Sequence, residues 1–342
     1  MKTVLLFLGN GVSIDLINLL GKTKTINLSN LFENGDRVPW PANNEPGFLS
    51  QMHCPELWKL GARPNIGRDG ANKLISDIIT CANVSLISRR PILDTESKNI
   101  YIRAYHELVS YLKYLFIFYN QEIQNDDLVK IIPEWGWSKL FNHLSRSTEI
   151  SDVYIITYNY DIFLERILKC QGIPYQIIGF NGNQEKFKIL KPHGSISFRS
   201  TRTNAKTNFL IKYNRDSLGG DIESLVVDED LNYDLISNIN AMIPPAGEAV
   251  RFPSAWSTVL RKEADHIIKQ IQPGDDVFFG GLSYGSVDRK EIDSLIVELD
   301  RDINITIVNP DVDNTFGAVV SSLFEHYIHY SKSDILGGMY ND

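Results

Sequence analysis

Apolar positions fall into a repeating plan along this chain. Val4 to Leu8 is an unbroken apolar run without alternation, which predicts a strand buried on both faces, and Gly9-Asn10-Gly11 turns the chain after it. Ser13 then stands as the N-cap of a helix over 14–20, with Gly21 where a terminating glycine belongs. The same plan returns at Val153 to Thr157: a buried strand, Asp161 as N-cap, a helix to about Cys170, then Gly172 and Pro174 as stops. Two further strands, 277–279 and 305–308, run into Gly280-Gly281-Leu282-Ser283 and Asn309-Pro310-Asp311. Apolar residues at 101, 105, 108, 112, 115, 116 and 119 have the spacing of an amphipathic helix, expected to cover one face of the sheet.

Between these units the pattern dissolves twice. Residues 25–95 are punctuated by Pro39, Pro41, Pro46, Gly47, Pro55, Gly61 and Pro64, which predicts an inserted irregular or small helical lobe. Residues 200–240 are polar, with Gly219-Gly220 and the acidic group Asp228, Glu229 and Asp230, and read as an excursion or hairpin. Strands alternating with helices imply an α/β fold, a Rossmann-like doubly wound parallel sheet, formed by 1–24 with 96–342, carrying the 25–95 lobe and no zinc module. Ligands of such sheets bind outside the carboxyl ends of the strands, so the four polar tips are candidates for one pocket.

Composition narrows the function. With 342 residues, 43% hydrophobic and 22% charged, the chain is long and apolar enough to bury a large core. A net charge of −8 supplies no basic field for a phosphate backbone, so no direct nucleic-acid binding is expected. Cys54, Cys81 and Cys170 are 27 and 89 residues apart, neither a disulfide framework nor a paired zinc motif, and fit a reducing cytoplasm. The apolar run of five at the N-terminus is too short for a signal peptide, and the greasiest later stretch, Tyr114 to Tyr119, has only six residues, so no membrane association is expected.

Taken singly, the motifs have ordinary readings. Gly9-Asn10-Gly11 serves equally as a tight turn or as an approach for phosphate; Ile14 stands where a dinucleotide fingerprint needs glycine, and Leu16 where a phosphate loop needs one. Asp161 is most simply an N-cap, and His193 in Lys191-Pro192-His193-Gly194-Ser195 a structural histidine. Asn159, between Tyr158 and Tyr160, serves no obvious packing purpose. None of the seven histidines has a metal-ligand spacing, and Trp135-Gly136-Trp137 reads as core or interface.

The order of the motifs is more specific. Gly-x-Gly-x-Ser after the first strand, Thr157-Tyr158-Asn159-Tyr160-Asp161, His193-Gly194-Ser195, Gly281-x-Ser283 and Asn309-Pro310-Asp311, with Ile243-Pro244-Pro245 and Trp256, resemble the sirtuin superfamily, most of all the bacterial sirtuin-like NAD hydrolases of antiphage defence. The resemblance covers residues 4–15, 153–196 and 243–312. It implies Asn159 and His193 as the catalytic pair with Asp161 in support. Gly9, Asn10, Gly11 and Ser13 would lie on the pyrophosphate side, and Gly281, Ser283 and Asn309 on the adenosine half, with Asp15, Tyr158, Tyr284 and Asp311 as further contacts to NAD. The implied activity is hydrolysis of NAD, as substrate and without metal, to nicotinamide and ADP-ribose in abortive infection. The implied assembly is a homo-oligomer, or a complex with a second defence protein. Absence of the four zinc-binding cysteines sets the chain apart from protein-deacylating sirtuins, and Asn10 replaces the small residue usual between the glycines. A nucleotide-sensing module without catalysis, and a zinc-less deacylase or ADP-ribosyltransferase, are the alternatives.

Overall fold

The computed structural model describes residues 1–87, 99–213, 217–231, 235–244, 255–284, 289–310 and 314–339. Along the chain come β1 (Lys2–Leu8), α1 (Asn10–Leu19), α2 (Pro55–Lys59), α3 (Arg68–Ile87), α4 (Ile100–Gln121), α5 (Asn125–Ile131), α6 (Gly136–Arg146), β2 (Ile150–Thr157), α7 (Phe163–Cys170), β3 (Tyr175–Ile177) and β4 (Phe187–Leu190). Then follow β5 (Phe198–Ser200), β6 (Thr203–Ala205), β7 (Leu225–Val227), β8 (Leu235–Ser237), α8 (Ala255–Ile268), β9 (Asp276–Gly280), α9 (Arg289–Ile296), β10 (Asn304–Val308), α10 (Asn314–Leu323) and β11 (His326–Tyr330). They form two units. One comprises Met1–Lys22, Ile123–Pro192 and Val259–Asp342, the other Thr23–Glu122 and His193–Thr258.

The first unit is a Rossmann-like α/β fold. Its seven-stranded sheet has the order β11-β10-β9-β1-β2-β4-β3, and every pairing is parallel. Val4 to Leu8 are at most 1% exposed, which is why β1 takes the centre: an unbroken apolar run is stable only where both faces are covered. β1 pairs with β2 up to Leu8↔Thr157 and with β9 up to Leu8↔Gly280, and Phe7 stacks on Phe279 at 5.0 Å. The chain builds outward from β1 through β2, then returns at β9 to the other side of β1. The topological switch point therefore lies between the carboxyl ends of β1 and β9.

The predicted strands 4–8, 153–157, 277–279 and 305–308 all lie in this sheet, which gains β3, β4 and β11 besides. Two predicted helix starts need correction. α1 begins at Asn10 with Gly9 as N-cap, because β1 ends at Leu8 and one extended residue suffices to enter the helix; Ser13 lies within α1. α7 begins at Phe163 with Ile162 as N-cap, yet Asp161 Oδ1 still accepts the Phe163 N–H at 3.1 Å, capping from one residue further back. Both C-termini close as expected: Gly21 (φ +65°) and Gly172 (φ +69°) each complete a reverse-turn cap, with Lys22 N–H on Ile17 O and Ile173 N–H on Leu168 O.

The amphipathic helix expected to cover a sheet face is α4, which falls in the second unit and packs there on α2 and α3. Most of its positions are buried, including Glu107, Ser110 and Lys113 as well as Leu108, Tyr111, Leu112 and Leu115, so it forms the centre of a unit of its own. Tyr111 Oη donates to Leu31 O at 2.6 Å and Tyr119 Oη to Asn27 O at 3.2 Å, fastening the Pro- and Gly-rich segment to α4. The lobe expected over 25–95 thus has α4 and 193–258 within the same unit. The polar excursion forms two antiparallel ribbons, β5 with β7 and β6 with β8. No described helix is long and apolar enough to cross a membrane.

Candidate functional site at the strand tips

At the switch point, the turns after β1, β9 and β10 are stitched together by their backbones. Gly9 N–H donates to Gly280 O at 2.9 Å, Gly11 N–H to Gly281 O at 2.9 Å, and Gly281 N–H to Val308 O at 3.0 Å. Asn309 closes the set, its Nδ2 donating to Leu282 O at 2.7 Å. Glycine is required here. Gly281 has φ +57°, and a Cβ on it would stand 2.3 Å from Val12 N; a Cβ on Gly11 would stand 2.6 Å from Gly281 Cα. The close approach of two turns accounts for these glycines, and it engages N–H groups that a phosphate would otherwise meet: Gly11 N–H as above, and Val12 N–H on Gly9 O at 3.1 Å.

The tip of β2 joins the same platform. Asn159 is half-buried, and its Nδ2 donates to Gly9 O at 3.1 Å and to Ser13 Oγ at 3.0 Å. Ser13 Oγ in turn donates to Asp161 Oδ2 at 2.9 Å. With Phe163 N–H on Asp161 Oδ1, every link of this chain has its donor and acceptor matched, and the Asn159 amide is held in one orientation with Oδ1 as its remaining acceptor.

Beneath lies a buried ion pair that sequence reading missed. Lys191, which follows β4, sends Nζ to Glu165 Oε1 at 2.6 Å and to Asp161 O at 2.5 Å, and both side chains of the Lys191–Glu165 pair are 1% exposed. Burial pushes the Asp161 and Glu165 carboxyls above the usual carboxylate range, while the Lys191 charge acts the other way. Glu165 Oε2 has no hydrogen-bond partner among the described residues. Ser13, Trp135, Asn159, Asp161, Glu165 and Lys191 leave between them a cavity of about 10 Å³, so this polar cluster is a packed support under the tips. Only its position in the K-P-H-G-S motif could have drawn attention to Lys191; Glu165 sits on a helix of mixed pattern with no signal of its own.

The other candidates divide. Gly9, Gly11, Ser13, Asn159, Asp161, Gly281 and Asn309 are brought together, and Asn10 opens α1 on its exposed side. Asp15 Oδ2 accepts from Trp135 Nε1 at 2.9 Å and from Ser333 Oγ at 2.7 Å, which fastens α1 to the segments before α6 and after β11. Trp135 and Trp137 are core, at 3% and 2% exposure. Tyr158 is buried, its N–H on Leu8 O at 3.3 Å. Ser283 is exposed; Tyr284 is buried against Phe316, with its hydroxyl on Asp293. His193 is 1% exposed, begins the 193–258 part of the second unit, and accepts Ile243 N–H on its backbone oxygen at 2.9 Å. Asp311 and Pro245 lie outside the described residues. Among the described residues, no group of three or more His, Cys, Asp or Glu side chains could hold a metal ion.

No known protein-family model matches this chain, and neither does any curated protein.

Proposed function

We propose that this protein hydrolyses NAD at the nicotinamide–ribose bond, releasing nicotinamide and ADP-ribose. The observation that carries the reading is the Asn159 amide, clamped between Gly9 O and Ser13 Oγ beside the switch point where an α/β sheet of this order takes its ligand. The motif order that resembles sirtuin-like NAD hydrolases supplies the substrate class. On the same resemblance the chain acts in the cytoplasm as an oligomeric antiphage effector.

The chemistry suits a sparse set of groups. Nicotinamide in NAD is a cationic leaving group that departs neutral, so the oxocarbenium-like transition state needs no general acid. It needs a group to orient the attacking water and a base to take its proton. Asn159 Oδ1 is the orienting acceptor. On the resemblance, His193, three residues past β4 on the chain, is the base. Asp161 supports through Ser13.

A second reading, a nucleotide-binding module without catalysis, is favoured by the engagement of Asn159 Nδ2 and both Asp161 oxygens within the protein. Incubating the full chain with NAD and following nicotinamide by chromatography separates the two. Hydrolysis predicts turnover that falls at least about a hundredfold in Asn159→Ala and in His193→Ala, the low end for losing a positioned general base. Turnover like the parent's in either variant rejects the pair. NAD binding by calorimetry without any nicotinamide establishes the second reading.

A further inference from the structure

The seven-stranded sheet ends at β11 in a way that proteins normally avoid. Edge strands are usually protected by charge, proline or a bulge, because their free N–H and C=O groups template pairing with another chain. β11 reads His326-Tyr327-Ile328-His329-Tyr330, with no charged acid or base of the Lys, Arg, Asp or Glu type and no proline, and its five pairs with β10 run without interruption. Its first four residues are exposed, Tyr327 at 45% and Ile328 at 53%, so its side chains are poorly covered by the chain's own helices. Among the described residues, no strand pairs with its outer side.

The backbone directions select a partner. Asn309 N–H donates to Tyr330 O at 3.0 Å, so Tyr330 faces β10, and by alternation so do Ile328 and His326. The polar groups of Tyr327 and His329 point outward. In an antiparallel pairing with a second copy, centred on Ile328, Tyr327 of one chain lies opposite His329 of the other, and these two outward residues exchange both N–H···O bonds. The axis falls on an Ile328–Ile328 pair in the non-hydrogen-bonded setting, where side chains approach most closely. His326 meets Tyr330 at each end. The same register sets Glu325, already paired with Arg301 of its own chain, near Lys332 of the second copy.

From this self-complementarity we infer that β11 is a homodimer interface: two copies join edge to edge about a two-fold axis through Ile328 and extend the sheet across both chains. An isologous contact of this kind closes on itself and does not propagate into fibres. The inference is independent of the proposed activity, since its test reads assembly alone.

Light scattering across a concentration series is expected to show the parent chain as a concentration-dependent dimer or an even-numbered assembly built on it. Ile328→Lys, at an exposed position, should keep the fold and raise the dimer dissociation constant at least about tenfold, because like charges then face each other across the axis. Ile328→Cys gives a measurement that does not rely on that variant. Cα atoms of a non-hydrogen-bonded pair lie about 4.5 Å apart, within the range of a disulfide, so mild oxidation should yield covalent dimers that the parent, with only its own three cysteines, does not form. A parent that stays monomeric throughout, an assembly unmoved by Ile328→Lys in a folded protein, or Ile328→Cys that fails to cross-link overturns the inference.

Discussion

Lys191 Nζ lies 2.6 Å from Glu165 Oε1 with both side chains 1% exposed, and the same ammonium caps the backbone oxygen of Asp161. This pair ties the end of β4 to α7 and underlies the loop that carries Asn159. Its energetic weight lies in what happens when one member is lost.

Lys191→Met leaves the Glu165 carboxylate buried without its counter-charge, and should destabilise the chain by about 3–5 kcal/mol. The double variant Lys191→Met with Glu165→Gln, which removes both charges, should recover a large part of that loss. Urea unfolding of the four proteins in this cycle measures it; a double variant whose loss equals the sum of the two single losses would show that the charges are not coupled.

Gly281→Ala tests the stitched turns. A side chain there combines a left-handed backbone with a Cβ 2.3 Å from Val12 N, a backbone atom that cannot rotate aside, and the expected loss is more than about 2 kcal/mol. Because relief requires α1 to shift away from β9, any NAD binding should weaken together with stability. Thermal melts and calorimetry read the two effects, and an unchanged melting temperature would contradict the packing described.

His106 gives a pH signature in the second unit. It is 4% exposed on α4, with Ser217 Oγ 3.3 Å from its Nδ1, and burial lowers its pKa to about 4. Between about 4 and the ordinary 6.5 the unfolded chain binds the proton and the folded chain does not, so stability rises with pH across this window. The contribution is fully present above 6.5 and disappears as pH falls to about 4, a change of about 3 kcal/mol. His106→Gln should flatten the stability curve there by that amount. Superimposable pH profiles for parent and variant would exclude His106 as the titrating group.

Much of the sheet was legible in the residues themselves. An unbroken run such as Val4 to Leu8 has only one comfortable environment, a strand covered on both faces, and Gly21 and Gly172 mark helix ends because their left-handed φ is costly for other residues. The motif order also placed Gly9, Asn159, Gly281 and Asn309 at strand tips before any of them could be seen to meet. What the sequence could not determine is who meets whom. Ser13 reads as an N-cap from its neighbours alone, yet the extended Gly9 starts the helix earlier and turns that hydroxyl to Asp161, 148 residues away. α4 has the spacing of a sheet-covering helix, but spacing is silent about partners, and burial around most of its surface makes it the centre of another unit. β11, with two histidines among five residues, has no apolar run to betray it, and is a strand because β10 offers it a complete ladder. Lys191 and Glu165, 26 residues apart, became a pair only when the sheet closed around them, since the low-dielectric interior that makes such a contact decisive does not exist until the chain has folded.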